Sequence, residues 1–281
     1  MPLRICTLFV LSFRIYAASA PVVPPASVVN NASFAVGTNS LAPGTIAAIF
    51  GSNLDDGTNN AFSSFDKNGE LLTTLGGASV TFNGVAAPMF SAFPGQLNVQ
   101  VPQLPPGQTQ VQVITQCGTP QAQTSNAEMV TIQATAPEFF YYVHTASGKN
   151  PIAAINAVTH TAVGATGLVA GGNFTPAQRG ELLTLFATGF GATAPSYGPG
   201  ELPTGAAQVT APVSITFGGV KLPASDILYV GVTENAGLYQ VNLRVPNQVP
   251  DGDQSLVITI GGSASPAGGF VTVKGGPTSA Q

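Results

Sequence analysis

Charged residues are scarce in this 281-residue chain: Asp, Glu, Lys and Arg make up 7% of it, against roughly 25% of an ordinary soluble domain. Hydrophobic residues make up 44% of the chain, so the side chains needed for a core are present. Disorder requires low hydrophobicity and high net charge, and the composition excludes it. With 33 glycines and 23 prolines, the composition is typical of an all-β protein with uncharged polar faces.

Long hydrophobic runs are also absent, so no segment is predicted to cross a membrane as a helix. The longest apolar run lies at the start of the chain, from Ile5 to Phe13, behind the basic Arg4. It is followed by Ala18-Ser19-Ala20, which resembles a signal-peptidase site. The sequence therefore predicts a signal peptide over residues 1–20 and a secreted or cell-envelope location.

Basic residues and cysteines are few. Eight Lys and Arg stand against twelve Asp and Glu. Arg4 and Arg14 lie in the predicted signal peptide, so 8 − 2 = 6 basic residues remain, with a net charge of −6. Such a surface is a poor match for nucleic acid, and the predicted partner is an extracellular protein or a polysaccharide. Cys6 leaves with the signal peptide, so Cys117 has no intrachain partner and is predicted to be structural, with a thiol that joins two chains as the alternative.

Several segments of the chain occur twice in the same order. "QLNVQVP" at 96–102 returns as "QVNLRVP" at 240–246, and "ASVTFNGV" at 78–85 returns as "VSITFGGV" at 213–220. "GTIAAIF" and "GELLTLF" precede them in the respective copies. Repetition in a constant order indicates duplication, and two copies predict two similar domains in tandem.

Each repeated segment has the pattern of a β-strand. Leu97, Val99 and Val101 alternate with polar residues, which predicts one buried and one exposed face. Asn83-Gly84 predicts a tight hairpin turn. Tryptophan is absent and no cysteine pair remains, so the predicted fold is a pair of immunoglobulin-like antiparallel β-sandwiches held by packing alone. The predicted divisions are 21–140 for the first sandwich, 141–172 for a connecting segment and 173–281 for the second sandwich.

The segments "SVVNNASF", "APGTIAAIFGSNL", "GELLTLFATGFGATAP" and "AGLYQVNLRVP" resemble an uncharacterised bacterial family of secreted proteins, the Solibacter-type C-terminal domain. The halves of that family are similar to IPT/TIG immunoglobulin-like domains. The resemblance covers nearly all of residues 28–274. It implies a tandem immunoglobulin-like architecture without an assigned enzymatic activity, so it supplies no catalytic residues.

Motifs of catalysis are weak or absent. Residues 189–194 fit G-x-G-x-x-A, but Pro195, Pro199 and Pro203 prevent the helix that a dinucleotide site requires. His144 and His160 lack zinc-ligand spacing, and no G-x-S-x-G motif is present. We therefore predict that the protein is not an enzyme. A hydrolase is the alternative, and it would need a pair of carboxylates about 5–9 Å apart in a cleft.

Acidic loops are candidates for calcium because Ca²⁺ takes six to eight oxygen ligands. The best candidate is "LDDGTNN", with Asp55 and Asp56. The loops "DKNGE" and "DGDQ" are weaker, and none of the three matches an EF-hand. No cofactor is predicted apart from this calcium.

The densest aromatic run is "FFYYV", from Phe139 to Val143. As a strand it would bury both faces between the domains, or it would present Tyr141 and Tyr142 as a platform for sugar rings. Tyr197 and Tyr239 are further candidates for such a platform. The leading prediction is a non-catalytic secreted or cell-surface module for adhesion, scaffolding or protein–protein contact. A carbohydrate-binding or accessory module of extracellular polysaccharide use is the alternative.

Overall fold

The computed structural model describes residues 19–35, 40–57 and 61–276. The signal-peptide prediction falls almost wholly on residues 1–18, outside the described part of the chain. The fold is all-β, as the sequence predicts: within the described residues the strands are joined by turns and loops, and one 3₁₀ turn is found at Ala224–Asp226. None of the helical structure described is long and apolar enough to cross a membrane.

The first half of the chain forms a β-sandwich. Its described strands are β1 Val28–Asn30, β2 Ser40–Leu41, β3 Ile46–Phe50, β4 Ala61–Phe62, β5 Thr74–Leu75, β6 Ala78–Phe82, β7 Val85–Ala86, β8 Met89–Phe93, β9 Gln96–Gln100, β10 Gly107–Thr115, β11 Gln123–Thr124 and β12 Glu128–Ile132. One sheet has the order β1-β3-β9-β8-β4, and the facing sheet has the order β2-β12-β10-β6-β5. Apolar side chains from both sheets, such as Leu97, Val99, Phe82 and Val111, are fully buried in a common core.

The second half forms another sandwich. Its described strands are β13 Glu138–Phe139, β14 Asn150–Pro151, β15 Ala154–Asn156, β16 Ala162–Val163, β17 Phe174–Thr175, β18 Leu182–Thr188, β19 Thr193–Ala194, β20 Ala207–Val209, β21 Val213–Phe217, β22 Val220–Lys221, β23 Ile227–Val232, β24 Tyr239–Arg244, β25 Gly252–Ile260, β26 Ser263–Ala264 and β27 Gly269–Val273. One sheet is built around the neighbours β15-β18-β24-β23, and the other around β27-β25-β21. They enclose their own core, which contains Val241, Leu243 and Phe217.

The repeated phrase forms the same strand in both halves. In β9 the residues Leu97 and Val99 are buried while Gln96 and Asn98 are half-exposed, and β24 repeats this alternation. Both neighbours of β9, which are β3 and β8, are antiparallel to it. The predicted hairpin at Asn83-Gly84 is confirmed, because Phe82 pairs with Val85 and both turn residues have positive φ. These local features follow directly from period-two patterning and turn chemistry.

Two segments differ from the sequence-based expectation. The predicted connection 141–172 contains β14, β15 and β16, which pair with strands of the second sandwich. The run Phe139 to Val143 is not one continuous strand, because β13 ends at Phe139 and Tyr141 makes an isolated bridge to Ile152. Pairing partners supplied by distant residues set these boundaries, and a local pattern does not contain them.

The two sandwiches contact each other directly. The backbone N–H of Ile46 donates to Thr188 Oγ1 at 2.9 Å, and that hydroxyl donates to the carbonyl of Gly237 at 2.7 Å. The N–H of Ala136 donates to the carbonyl of Gly189 at 2.8 Å. Gly189 has φ +80°, and a Cβ at this position would lie 2.1 Å from the carbonyl oxygen of Ala136. The first glycine of the G-x-G-x-x-A segment is therefore required by the close approach of the chain that joins the sandwiches.

Candidate functional site: a cleft between the sandwiches

A cleft of about 400 Å³ lies between the two sandwiches. Its walls come from the loops after β2 and β9 in the first sandwich and from the loops around β19 and β24 in the second. Side chains with polar atoms lining it are Gln100, Gln103, Thr193, Ser196, Tyr197, Glu201 and Tyr239. A concave site at a domain interface with convergent polar groups is the usual place for a ligand.

Gln100 connects the wall of the first sandwich to the second. It is the last residue of β9 and is 5% exposed. Its side-chain Oε1 accepts a hydrogen bond from the N–H of Gly200 at 2.6 Å, and its Nε2 donates to the carbonyl of Gly44 at 3.4 Å. Gly200 also accepts, through its carbonyl, from the N–H of Leu71 at 2.9 Å. The loop that carries Gly200 is therefore fixed against the first sandwich.

Two tyrosines form part of the wall of the second sandwich. Tyr239 is buried, its ring lies 5.0 Å from that of Phe190, and its hydroxyl donates to the carbonyl of Gly191. Burial raises the pKa of Tyr239 well above its usual range. Tyr197 is half-buried and donates its hydroxyl to the carbonyl of Gly205 at 3.1 Å. Tyr197 is therefore the more accessible tyrosine of this pair, although its ring also packs against the second core.

The cleft carries little charge. Among the described residues that line it, Glu201 is the one carboxylic acid, and no lysine or arginine is present. Glu201 Oε2 accepts from the N–H of Gly198 at 2.7 Å, which holds the loop in place. Glycoside hydrolysis generally uses two carboxylates. The described lining of the cleft thus offers one carboxylate, together with uncharged amide and hydroxyl groups.

The amides of the repeated phrase bond to one another. Gln96 Nε2 donates to Asn98 Oδ1 at 2.9 Å, and Gln240 Nε2 donates to Asn242 Oδ1 at 2.8 Å. A hydroxyl from a neighbouring strand completes each ladder: Ser91 accepts from Asn98, and Thr184 donates to Asn242. The Gln and Asn residues shared by the two repeated segments therefore bond to each other on the outer face of each sheet, because alternate residues of a strand lie on the same side.

The predicted platform residues Tyr141 and Tyr142 lie outside the cleft. Both are half-buried. Tyr142 donates its hydroxyl to the carbonyl of Ala154, and its ring makes an edge contact with Phe174 at 4.9 Å. The ring of Tyr141 packs against the second core and lies edge-on to His144 at 5.6 Å. Burial, followed by the charge of Glu138, raises the pKa of Tyr141 to about 12. A role for Tyr141 and Tyr142 in sugar binding stays a prediction.

The acidic candidates lie on separate loops. Asp55 is buried and Asp56 lies against Gly77. Asp66 accepts backbone N–H bonds from Glu70 and then Asn68, and these bonds lower its pKa. Within the described ranges no group of three or more His, Cys, Asp or Glu is positioned to hold a metal ion. Calcium at Asp55 and Asp56 stays a prediction and would depend on further oxygen ligands.

The remaining reactive side chains are dispersed. Cys117 is a free thiol whose sulfur donates to Ser79 Oγ at 3.2 Å. His144 is exposed, with edge contacts to Phe34 and Tyr141. His160 is exposed and has φ +56°. None of these three residues lines the cleft.

Sequence reasoning did not find Gln100, Gln103 or Glu201. A signal was present, because Gln100 and Arg244 hold the same position in the two copies of the phrase and are different residue types. Arg244 is exposed and donates to the carbonyl of Gly180 at 2.9 Å. This difference between two otherwise similar segments falls at the position where the first copy, through Gln100, contacts the second sandwich.

Comparisons with known proteins give structural neighbours only. No protein-family model matches the chain. No curated protein matches it either. Among solved structures, it is similar to a surface glycan-binding protein of Prevotella bryantii, PbSGBP-B, at 16% identity over 92% of this chain and 43% of that one, with a TM-score of 0.26.

A second neighbour is the SGBP-B protein of the Bacteroides ovatus mixed-linkage glucan utilization locus in complex with a heptasaccharide. The identity is 14% over 86% of this chain and 44% of that one, with a TM-score of 0.35. The fibronectin(III)-like modules of Clostridium thermocellum CbhA match at 10% identity over 84% and 89% of the two chains, with a TM-score of 0.20. The chain spans less than half the length of the two glycan-binding proteins. Likeness at this level concerns the fold alone.

Proposed function

We propose that this chain is a non-catalytic, extracytoplasmic binding module that holds a neutral saccharide in the cleft between its sandwiches. The observation that carries the proposal is the lining of the cleft, which combines the amide of Gln103, the hydroxyls of Thr193 and Ser196, and the ring of Tyr197, with a single carboxylate. Sugars offer hydroxyls that both donate and accept, together with apolar C–H faces. Amides and hydroxyls serve the first property, and an aromatic ring serves the second.

The fixed relation of the walls supports binding. Gln100 joins β9 of the first sandwich to the Gly200 loop of the second, and Thr188 joins β18 to β3. A site whose walls are already in position spends less free energy on ordering when a ligand binds. The low charge of the cleft fits a neutral ligand, because Glu201 is the one carboxylate among the described lining residues and few ionic groups have to be desolvated.

The test is binding of the purified protein to neutral polysaccharides, namely mixed-linkage β-glucan, xylan, mannan and starch, by affinity electrophoresis followed by calorimetry. We expect retention by at least one of them. Replacing Tyr197 by Ala should weaken that binding by about tenfold or more, equivalent to ~1.4 kcal/mol. Gln103→Ala should weaken it as well, and because Gln103 is exposed its replacement leaves the core intact.

A matched control is Gln121→Ala, since Gln121 is an exposed glutamine of the first sandwich that does not line the cleft. It should leave retention unchanged. Retention that is equal in the wild type and in the Tyr197 and Gln103 variants would place the saccharide elsewhere and refute the cleft. No retention on any of the polysaccharides would refute saccharide binding of these classes.

A second function, adhesion or protein–protein contact, is favoured by one observation. Phe62 in β4 lies at the end of the first sheet, is 71% exposed and makes an edge contact with Phe93 at 5.3 Å. An exposed aromatic side chain on a strand at the end of a sheet, here packed on the half-buried Phe93, is typical of a surface that binds another protein. Phe62→Ser should then reduce association measured by sedimentation or cell binding, whereas Phe65→Ser, at another exposed phenylalanine, should not.

Location and family belong to the same proposal. A signal peptide over residues 1–20 would bring the chain to the cell surface or the medium, where polysaccharides and adhesion partners are found. Membership of the Solibacter-type family would fit a module of this kind. Cleavage after Ala20 is checked by N-terminal sequencing of protein recovered from an exporting host.

A further inference from the structure

The loop 54–57 of the first sandwich is anchored at several points. The N–H of Leu54 donates to the carbonyl of Pro94 at 3.0 Å, and the Leu54 side chain is fully buried. The N–H of Asp56 donates to the carbonyl of Gly76 at 3.1 Å. The backbone of this loop is therefore held against the turns that precede β6 and β9. The positions of its side chains are therefore determined by the packing of the sandwich.

Asp55 is the unusual residue of this loop. It is 8% exposed, and its Oδ1 accepts from the N–H of Gly57 at 2.9 Å. Its Oδ2 is buried and has no hydrogen-bond partner in the structure. Asp66, on another loop of the same sandwich, gives the contrast. Its Oδ1 accepts two backbone N–H groups and its Oδ2 accepts from Asn68 Nδ2 at 3.2 Å, although Asp66 is partly open to water.

A buried carboxylate oxygen without a donor is costly, since the oxygen has lost its water and gained nothing in exchange. Such oxygens are rare in folded proteins, and each calls for a partner such as an ordered water or an ion. The ion pairs among the described residues are Arg179–Asp251 and Arg244–Asp226. They do not involve Asp55, so a side-chain cation does not neutralise it within the described part of the chain.

The next residue, Asp56, supplies a second carboxylate on the same loop. The side chain of Asp56 lies over Gly77, so that a Cβ on Gly77 would stand 2.6 Å from Asp56 Oδ2. Gly77 has φ +68°, a conformation that favours glycine and leaves this space to the carboxylate. Two consecutive carboxylates, one of them with a bare buried oxygen, thus lie on an anchored loop.

We propose that Asp55, together with Asp56, binds a calcium ion. The ligand set offered is oxygen alone, which suits a hard cation rather than zinc or copper. Because the described residues bring no third acidic side chain to this loop, backbone carbonyls and water would complete the six to eight oxygens that Ca²⁺ requires. A site with few carboxylates belongs to the weak extracellular class, with a Kd of about 10⁻⁴–10⁻³ M.

The test uses the purified full chain, stripped with EDTA and titrated with CaCl₂ in a calorimeter, with thermal unfolding in parallel. We expect one Ca²⁺ per chain. Calcium at about a hundred times its Kd should raise Tm by about 5 °C or more, because the ion binds the folded state. Asp55→Asn should weaken Ca²⁺ binding by at least about tenfold and reduce the rise in Tm at the same calcium concentration to about half or less.

Asp66→Asn is the matched control, since both oxygens of Asp66 already have donors, and it should bind Ca²⁺ as the wild type does. The wild type alone can overturn the proposal, by showing no binding heat and no change in Tm at 10 mM CaCl₂. Equal affinity in the wild type and the Asp55 variant would overturn it too. Neither the site nor its test involves the cleft, so failure here would leave the saccharide proposal unaffected.

Discussion

Glu138 gives the sharpest prediction about stability. It lies in β13, is 4% exposed, and accepts a hydrogen bond from the hydroxyl of Ser33 in the first sandwich. Burial raises the pKa of Glu138 from 4.5 to about 7, and the bond from Ser33 opposes that rise. The charge of Glu138 is also the second cause, after burial, of the raised pKa of Tyr141.

The raised pKa of Glu138 determines how the stability of the protein changes with pH. The pKa of Glu138 is higher in the folded protein than in the unfolded chain, so the folded state binds its proton more tightly. The resulting stability is fully present below about pH 4.5 and is lost as the pH rises through about 7. At about 1.4 kcal/mol for each tenfold change in the protonation equilibrium, the contribution is about 3 kcal/mol.

The assay is urea unfolding of the wild type and of Glu138→Gln at intervals from pH 5 to pH 8.5. Glutamine keeps the size of the side chain and an oxygen that can accept from Ser33, but it cannot ionise. We expect Glu138→Gln to lose most of the decline in stability between pH 5 and pH 8. At pH 8 it should exceed the wild type by about 2–3 kcal/mol.

Ser33→Ala serves as the companion variant. It removes the hydrogen bond that favours the ionised carboxylate, so the midpoint of the pH dependence should move to a higher pH. Parallel pH profiles for the wild type and Glu138→Gln would refute the reasoning, because other groups would then account for the whole dependence. A midpoint that moves to a lower pH in Ser33→Ala would do the same.

Two further predictions concern the contact between the sandwiches and the wall of the cleft. Gly189→Ala should lower the free energy of unfolding by about 2–4 kcal/mol, since its Cβ would meet the carbonyl of Ala136 in a backbone conformation with φ +80°. Chemical denaturation measures this loss. Gly219→Ala is the control that separates backbone strain from the clash, because Gly219 has φ +80° but no neighbouring atom within 4 Å. Tyr239→Phe should cost about 1–3 kcal/mol, because the carbonyl of Gly191 loses the buried hydroxyl that it accepts; a loss below about 0.5 kcal/mol would mean that water replaces the hydroxyl.

The fold was accessible from the sequence because its signals are local. The alternation of Leu97 and Val99 with polar residues defines a strand with one buried face, and Asn83-Gly84 defines a turn, without any knowledge of distant residues. Repetition then extended the same argument to the second half. The run at Phe139 and the predicted connection 141–172 misled, since the extent of their strands depends on pairing with distant residues such as those of β18.

The cleft was not accessible because it is created where two folded units meet. Gln100 has the same local pattern as any outward residue of a strand, and its burial depends on contacts with residues distant in the sequence, such as Gly200 and Gly44. The pKa of Glu138 likewise depends on burial in the folded protein and on a hydroxyl from Ser33, more than a hundred positions away, that opposes the rise. The orphaned oxygen of Asp55 depends on where the backbone places neighbouring N–H groups, which composition does not encode.

Because Gln100 and Arg244 occupy the same position in the two copies, their difference fixes which half comes first. On the first copy this position receives a loop of the following sandwich, whereas on the second copy it carries a cation bonded to Gly180 and facing Asp226. The halves are therefore no longer interchangeable parts. Exchanging their order, or inserting an extra copy between them, would bring an arginine to the place where an amide is required. A half that is to receive a loop of a following sandwich in this way would therefore have to carry glutamine rather than arginine at this position.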